Sequence, residues 1–125
     1  MGLAERLWNK ENSHAPFSVF ENDIKTVIDD LVKIDPKCQI IVFGSVAKNI
    51  AGIYSDIDLA VYLPENVDLS KFRSRFYRER KRIKRPLDII FRKKYDFIVQ
   101  EESSPIDEEI NFSGIEVYPN WSFNG

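Results

Sequence analysis

Apolar residues recur at every third or fourth position through Phe20, Ile24, Val27, Ile28 and Leu31, the pattern of one helix face. Ser18, three residues ahead of Glu21, has the form of a capping box at the start of this helix, and Asp35-Pro36 stops it. Ile40-Ile41-Val42-Phe43 is too short and too β-branched for a helix and ends at Gly44, so it reads as a buried strand, followed by a helical turn over Val46 to Ile50. From Ile57 to Leu63 the pattern alternates. Ile57, Leu59, Val61 and Leu63 point one way and Asp58, Ala60 and Tyr62 the other, which predicts a second strand. Beyond the turn at Pro64-Glu65-Asn66, Asp68 is placed to cap a helix. Its apolar stripe is Leu69, Phe72, Phe76 and Ile83, the rest of it is covered in Arg and Lys, and Pro86 ends it. Leu87 to Phe91 is a third apolar run with an acid, Asp88, inside it.

The ends are less regular. Residues 1–16 are polar and aperiodic, with Leu3, Leu7 and Trp8 at the spacing of a short helical turn, and read as an N-terminal extension. Tyr95 to Val99 fits a helix or a strand, Ser104-Pro105 opens a helix through Ile110, and Gly114 precedes a short strand from Ile115 to Tyr118. Residues 17–118 would then form the domain and 119–125 a tail. Alternating helices and strands predict an α/β (α+β) architecture: one layer structure with a small mixed β-sheet flanked by helices.

Composition narrows the function classes. A chain of 125 residues suits one domain, and 43% hydrophobic with 13% aromatic residues is globular rather than disordered. No apolar run approaches the ~20 residues of a membrane span, and the first residues lack the basic start and apolar core of a signal peptide, so a cytoplasmic protein is expected. Cys38 and His14 each stand alone, without a zinc-ligand spacing, and read as a packing residue and a solvated one. The formal charge of −2 conceals a split: Lys71 to Arg85 holds nine basic residues and one acid, a charge of +8, and the remainder carries −10.

The acids carry the candidate chemistry. Asp56 and Asp58, two apart on an extended segment, put their carboxylates on one face, where they repel unless a cation sits between them. Hard divalent cations take such oxygen ligands and leave positions for phosphate oxygens. Asp88 offers a third carboxylate from another strand, on the face it shares with Ile90. An Asp-x-Asp pair alone is weak, because ten Asp in this chain produce one by chance about 0.8 times. Gly44-Ser45, separated from Asp56 by ten residues, changes the odds: the four fixed residues recur at that spacing by accident roughly 0.002 times per chain. A glycine leaving a strand lets backbone N–H groups approach an anion, and the serine hydroxyl adds a donor. The plainer reading of that turn, a tight strand-to-helix corner with a serine cap, loses ground beside three metal-competent acids.

Gly-Ser, ten residues, Asp-x-Asp and then a third acid in an apolar strand resembles the nucleotidyltransferase superfamily that includes DNA polymerase beta, and the small size looks like its minimal nucleotidyltransferase branch. The resemblance covers about residues 17–118, with Ile110 and Gly114 to Tyr118 similar to the branch's closing strand. It implies a nucleotidyltransferase fold in which Asp56, Asp58 and Asp88 bind two Mg²⁺ ions, or Mn²⁺ in their place. Asp88 would also help deprotonate an acceptor hydroxyl, and Gly44, Ser45 and Lys48 would hold a nucleoside triphosphate, ATP in the first instance. Where the branch often has Arg after Gly-Ser and again two residues later, this chain has Val46 and Lys48, and where it has Gly, Asn49 follows; Lys48 supplies a point charge but not a bidentate fork. The implied reaction moves an NMP, AMP from ATP, to an acceptor hydroxyl. The short chain leads us to expect that acceptor on another molecule, and the branch often pairs with a HEPN-domain protein, in some cases as the antitoxin of a toxin-antitoxin couple.

Two rivals follow from the residues. The basic helix expected over 71–85, with Phe72, Phe76 and Tyr77 interleaved, has the makings of an RNA- or protein-binding module, against the plainer reading of a solvated face with core aromatics. A metal-dependent phosphohydrolase is the other, and it lacks auxiliary His ligands.

Overall fold

The computed structural model describes residues 14–94 and 104–123. Helix α1 (Ser18–Ile34) buries Phe20, Ile24, Val27, Ile28 and Leu31, the face its spacing predicts. The capping box is not made: Ser18 is already helical and no side chain caps the start, while Glu21 reaches along the helix to Lys25 at 3.2 Å. At the other end Asp35 leaves the helical conformation and its carboxylate accepts from the Lys37 amide at 2.8 Å.

After α1 come β1 (Gln39–Phe43), α2 (Gly44–Ala47), β2 (Ile57–Leu63), α3 (Leu69–Glu79), β3 (Leu87–Lys93), α4 (Pro105–Ser113) and β4 (Ile115–Tyr118). The strands form one mixed sheet in the order β3-β2-β1-β4, with β2 and β3 parallel and β1 antiparallel to both of its neighbours. Ile57, Leu59, Val61 and Leu63 face α1 and α3, meeting Leu31, Phe72 and Phe76 in the main core. The opposite face is covered as well: Phe43, Ala60 and Tyr62 pack with Ile110 of α4. Strand β2 is thus apolar on both sides except at Asp58, where the covering stops.

Two further local expectations are corrected. The turn after β1 begins at Gly44, two residues earlier than its apolar spacing predicts. The helix expected to run to Pro86 ends at Glu79, with Arg80 extended, so the basic stretch 71–85 is not one helix and Ile83 packs on the core from outside it. A physical cause is at hand: the buried carboxylate of Asp30 takes the Lys81 amide at 2.8 Å and holds the chain off the helical path. Residues beyond β4 fold back, with Phe123 stacked on Phe17 at 3.5 Å between ring centroids and Trp121 at 5.7 Å from the same ring.

Other expectations hold. Asp68 caps α3 through the Lys71 amide at 3.0 Å. Ser104 and Asp107 form a reciprocal capping box at the start of α4. The turn suggested by Leu3, Leu7 and Trp8, and the ambiguous run from Tyr95 to Val99, lie outside the described residues. Among the described residues no helix is long and apolar enough to cross a membrane.

Candidate active site

The end of the sheet where β1 finishes and β2 and β3 begin gathers the candidate residues. Phe43 is paired with Asp58, and Asp58 with Asp88, so the last residue of β1 and two of the three acids lie side by side across three strands. Partners in register share a face, so both carboxylates leave the sheet on the side of Ile90 and α4. Asp56 stands just ahead of β2 and is exposed, as is Asp88; Asp58 is half-buried between them.

Gly44 closes the site from the β1 side. Its φ of +73° lies in the left-handed region, and a Cβ placed on it would run into Asp58 Oδ2 and sit 3.2 Å from Asp58 Cγ. Both conformation and space therefore demand glycine here. The chain then makes the single turn of α2, and Asn49 ends it at φ +61°, a conformation asparagine tolerates better than most residues. That accounts for an asparagine at the position where the resemblance leads one to expect glycine. Ser45, half-buried, sits on the first turn beside Gly44.

Crowding of negative charge is visible in the proton affinity of Asp58. Its carboxyl is pushed up to about 6, first by burial and then by the charges of Asp88, Asp56 and Glu109. Glu109, on α4, was not a candidate from the sequence, and nothing local marks it: it lies more than fifty residues from Asp56 and Asp58 in the chain and reaches them only because α4 covers that face. Its other role is to hold Lys48, whose Nζ lies 2.7 Å from Glu109 Oε1. Lys48, expected to reach for phosphate, is thus tethered to α4.

Arg85 is a second residue that sequence reasoning passed over, as one basic residue among nine. Its side chain is largely enclosed, donating to the carbonyls of Ile53 at 2.6 Å and Ser55 at 2.9 Å, facing Asp23 at 3.6 Å and lying over the Phe20 ring at 4.4 Å. Ile57 N–H donates to Pro86 O at 3.1 Å. These bonds fasten the loop that delivers Asp56 to the segment that delivers Asp88. Cys38 is buried, with its thiol pushed up to about 11 by burial and by Asp35, and His14 is exposed.

Whether these residues suit a divalent cation can be judged from their chemistry. Among the described residues no three carboxylate, imidazole or thiolate groups are set closely enough to hold a metal ion as they stand. The donors themselves fit: all are hard carboxylate oxygens, and their mutual repulsion at Asp58 is what a cation would relieve.

The profile of the nucleotidyltransferase domain family matches residues 24–115, a span that includes every candidate residue from Gly44 to Asp88. Among solved structures, that of a candidate nucleotidyltransferase from Sulfolobus solfataricus aligns over 83% of this chain and 88% of its own with a TM-score of 0.50 and 16% identity, a likeness of fold. No protein of curated function matches the chain.

Proposed function

The chain belongs to the nucleotidyltransferase domain family, and from that premise we propose that it transfers AMP from ATP to a hydroxyl on a partner protein. Supporting this reading above all is the state of Asp58, whose half-buried carboxylate is destabilised first by burial and then by Asp88 and Asp56, beside a glycine whose Cβ would strike it. A structural acid would be paired; this one is opposed.

In this reading Asp56, Asp58 and Asp88 hold Mg²⁺, or Mn²⁺ in its place. A divalent cation held there would supply charge neutralisation for the triphosphate and would ease ionisation of the acceptor hydroxyl. Backbone N–H groups at Gly44 and the Ser45 hydroxyl bind phosphate oxygens, with Lys48 adding a point charge as it exchanges Glu109 for phosphate. Asp88 accepts the proton of the acceptor hydroxyl, whose oxygen bonds to the α-phosphorus as the bond to pyrophosphate breaks. The partner most consistent with the family resemblance is a HEPN-domain protein, with this chain as the antitoxin of the pair, acting in the cytoplasm.

The test is transfer of label from α-labelled ATP to such a partner in Mg²⁺, repeated with the other nucleoside triphosphates. The Asp56→Ala/Asp58→Ala double variant is expected to lose at least a thousandfold in rate, of the order that removal of the principal electrostatic stabilisation costs, while keeping its cooperative melt. Undiminished labelling by the double variant would end this mechanism.

A further inference from the structure

We propose that the arginine-lined concavity at the C-terminal end of α3 binds a single-stranded polynucleotide, independently of the carboxylate site. Tyr77, Arg78, Arg80, Arg82 and Ile83 line a hollow of about 350 Å³, within the size range of small-molecule and nucleotide sites.

The hollow exists because α3 stops where it does. Arg78 lies in the last helical turn, Arg80 is extended, and Asp30 pins the Lys81 amide at 2.8 Å. Arg80 and Arg82 both line the hollow, while the intervening Lys81 is tied down through its backbone amide. Had the helix run on to Pro86, these arginines would be spread around it.

The three guanidinium groups are also unspent. Among the described residues Arg75 is paired with Glu79, Arg85 with Asp23 and Arg92 with Asp107, whereas Arg78, Arg80 and Arg82 have no carboxylate within 4.0 Å. Glu79 is the sole acid between Lys71 and Arg85, and it is already taken. Arg80 lies over the Phe76 ring at 5.7 Å, which orients its planar head. Tyr77, 43% exposed, forms one wall; its ring makes T-shaped contacts with Phe76 and Phe91, and the Arg73 guanidinium lies 5.8 Å from its centroid.

Chemistry selects the ligand. The lining cations are all arginine, whose fork matches phosphate and carboxylate oxygens alike, so the choice between a polynucleotide and an acidic peptide falls to the aromatic wall. An exposed aromatic ring beside them offers a base a face to stack on, which requires unpaired bases. Topology places the hollow usefully: β2, α3 and the parallel β3 form a crossover, so the end of α3 returns to the sheet end that carries Asp58 and Asp88.

The test is fluorescence anisotropy of a labelled twelve-nucleotide single-stranded RNA with the full chain at several salt concentrations. Wild type is expected to bind with a steep salt dependence. Arg78→Gln/Arg80→Gln/Arg82→Gln should weaken binding at least tenfold and flatten the log–log salt slope by about 2, the share of three single-strand phosphate contacts. Tyr77→Leu should weaken binding roughly tenfold and leave the slope alone. Arg80 is half-buried over Phe76 and the Tyr77 ring meets Phe76 and Phe91, so thermal melts of both variants fix a temperature at which each is fully folded, and binding compared there separates lost contacts from lost folding. No binding at low salt, an unchanged affinity and slope in the triple variant, or displacement of the RNA by polyglutamate at equal charge would each overturn the proposal, the last in favour of an acidic protein.

Discussion

Replacing Asp58 with Asn removes a charge but keeps the shape of the side chain that fills the space against Gly44. The Asp58 carboxyl is pushed from its ordinary 3.8 to about 6. A raised folded-state value means that the native protein keeps its proton at pH values where the unfolded chain has lost it. Stability therefore falls as pH rises from about 4 through about 6, and stays lower above that window. Taken in full, a shift of that size corresponds to about 3 kcal/mol; partial solvation of a half-buried carboxylate screens it to about 1–2 kcal/mol. Asp58→Asn is thus expected to be more stable than wild type by about 1–2 kcal/mol at pH 7.5, a rise of roughly 4–8 °C in Tm for a chain of this size. At pH 3.5, where neither state of the wild type carries much of the charge, the gain should largely vanish. Urea unfolding at both pH values measures it. A parallel pair of melts, with and without Mg²⁺ at pH 7.5, should show the cation raising the wild-type midpoint more than that of the variant. An equal gain at both pH values would assign the stabilisation to packing, and a loss at pH 7.5 would refute the electrostatic account of Asp58.

Gly44→Ala should cost about 1–2 kcal/mol for the left-handed backbone, plus whatever is needed to displace the Asp58 carboxylate that a Cβ would strike. In an Asp58→Ala background only the backbone part should remain, so a double-mutant cycle by urea unfolding separates the two, and strict additivity would deny the contact. Arg85→Met keeps the aliphatic packing on Phe20 but drops the donors to Ile53 O and Ser55 O. Charged donors of this kind are worth about 1.5–3 kcal/mol, and the loss should show locally as faster hydrogen exchange at the Ile57 amide, which bonds Pro86 O.

Most elements could be read from the chain because their faces are one-sided in the sequence: the stripe of α1, the alternation of β2 and the Asp68 cap each follow from local spacing. The misreadings have long-range causes. No local signal ends α3 at Glu79, since the helix yields to Asp30, fifty-one residues away from Lys81. The capping box expected at Ser18 fails because the helix already includes Ser18, with Phe17 packed against Phe123 from the far end of the chain. At the candidate site the sequence puts Asp58 and Asp88 each in an apolar strand, while the register that sets them side by side comes from the parallel pairing of β2 with β3. By contrast, Glu109 and Arg85 owe their roles to a helix laid over one face and to a loop clamped from below, and no spacing rule expresses either.

The charge split along the sequence acquires its meaning from the same crossover. A parallel β2–β3 pair requires the connecting helix to return to the start of β3, so a basic stretch between Asp58 and Asp88 must arrive at the acidic end of the sheet. Were the positive charge there only to neutralise the acids, its arginines would be paired with them. The carboxylates of Asp56, Asp58 and Asp88 enter no ion pair among the described residues, and Asp58 is raised. One arginine of the stretch, Arg85, is turned inward to brace the acid-bearing loop, while Arg78, Arg80 and Arg82 face outward around their own hollow. Two sets of unsatisfied charge, opposite in sign and held apart by the sheet edge, leave the acids open to cations and the arginines open to phosphate. A single segment therefore both braces the acid-bearing loop and presents unpaired arginines beside it.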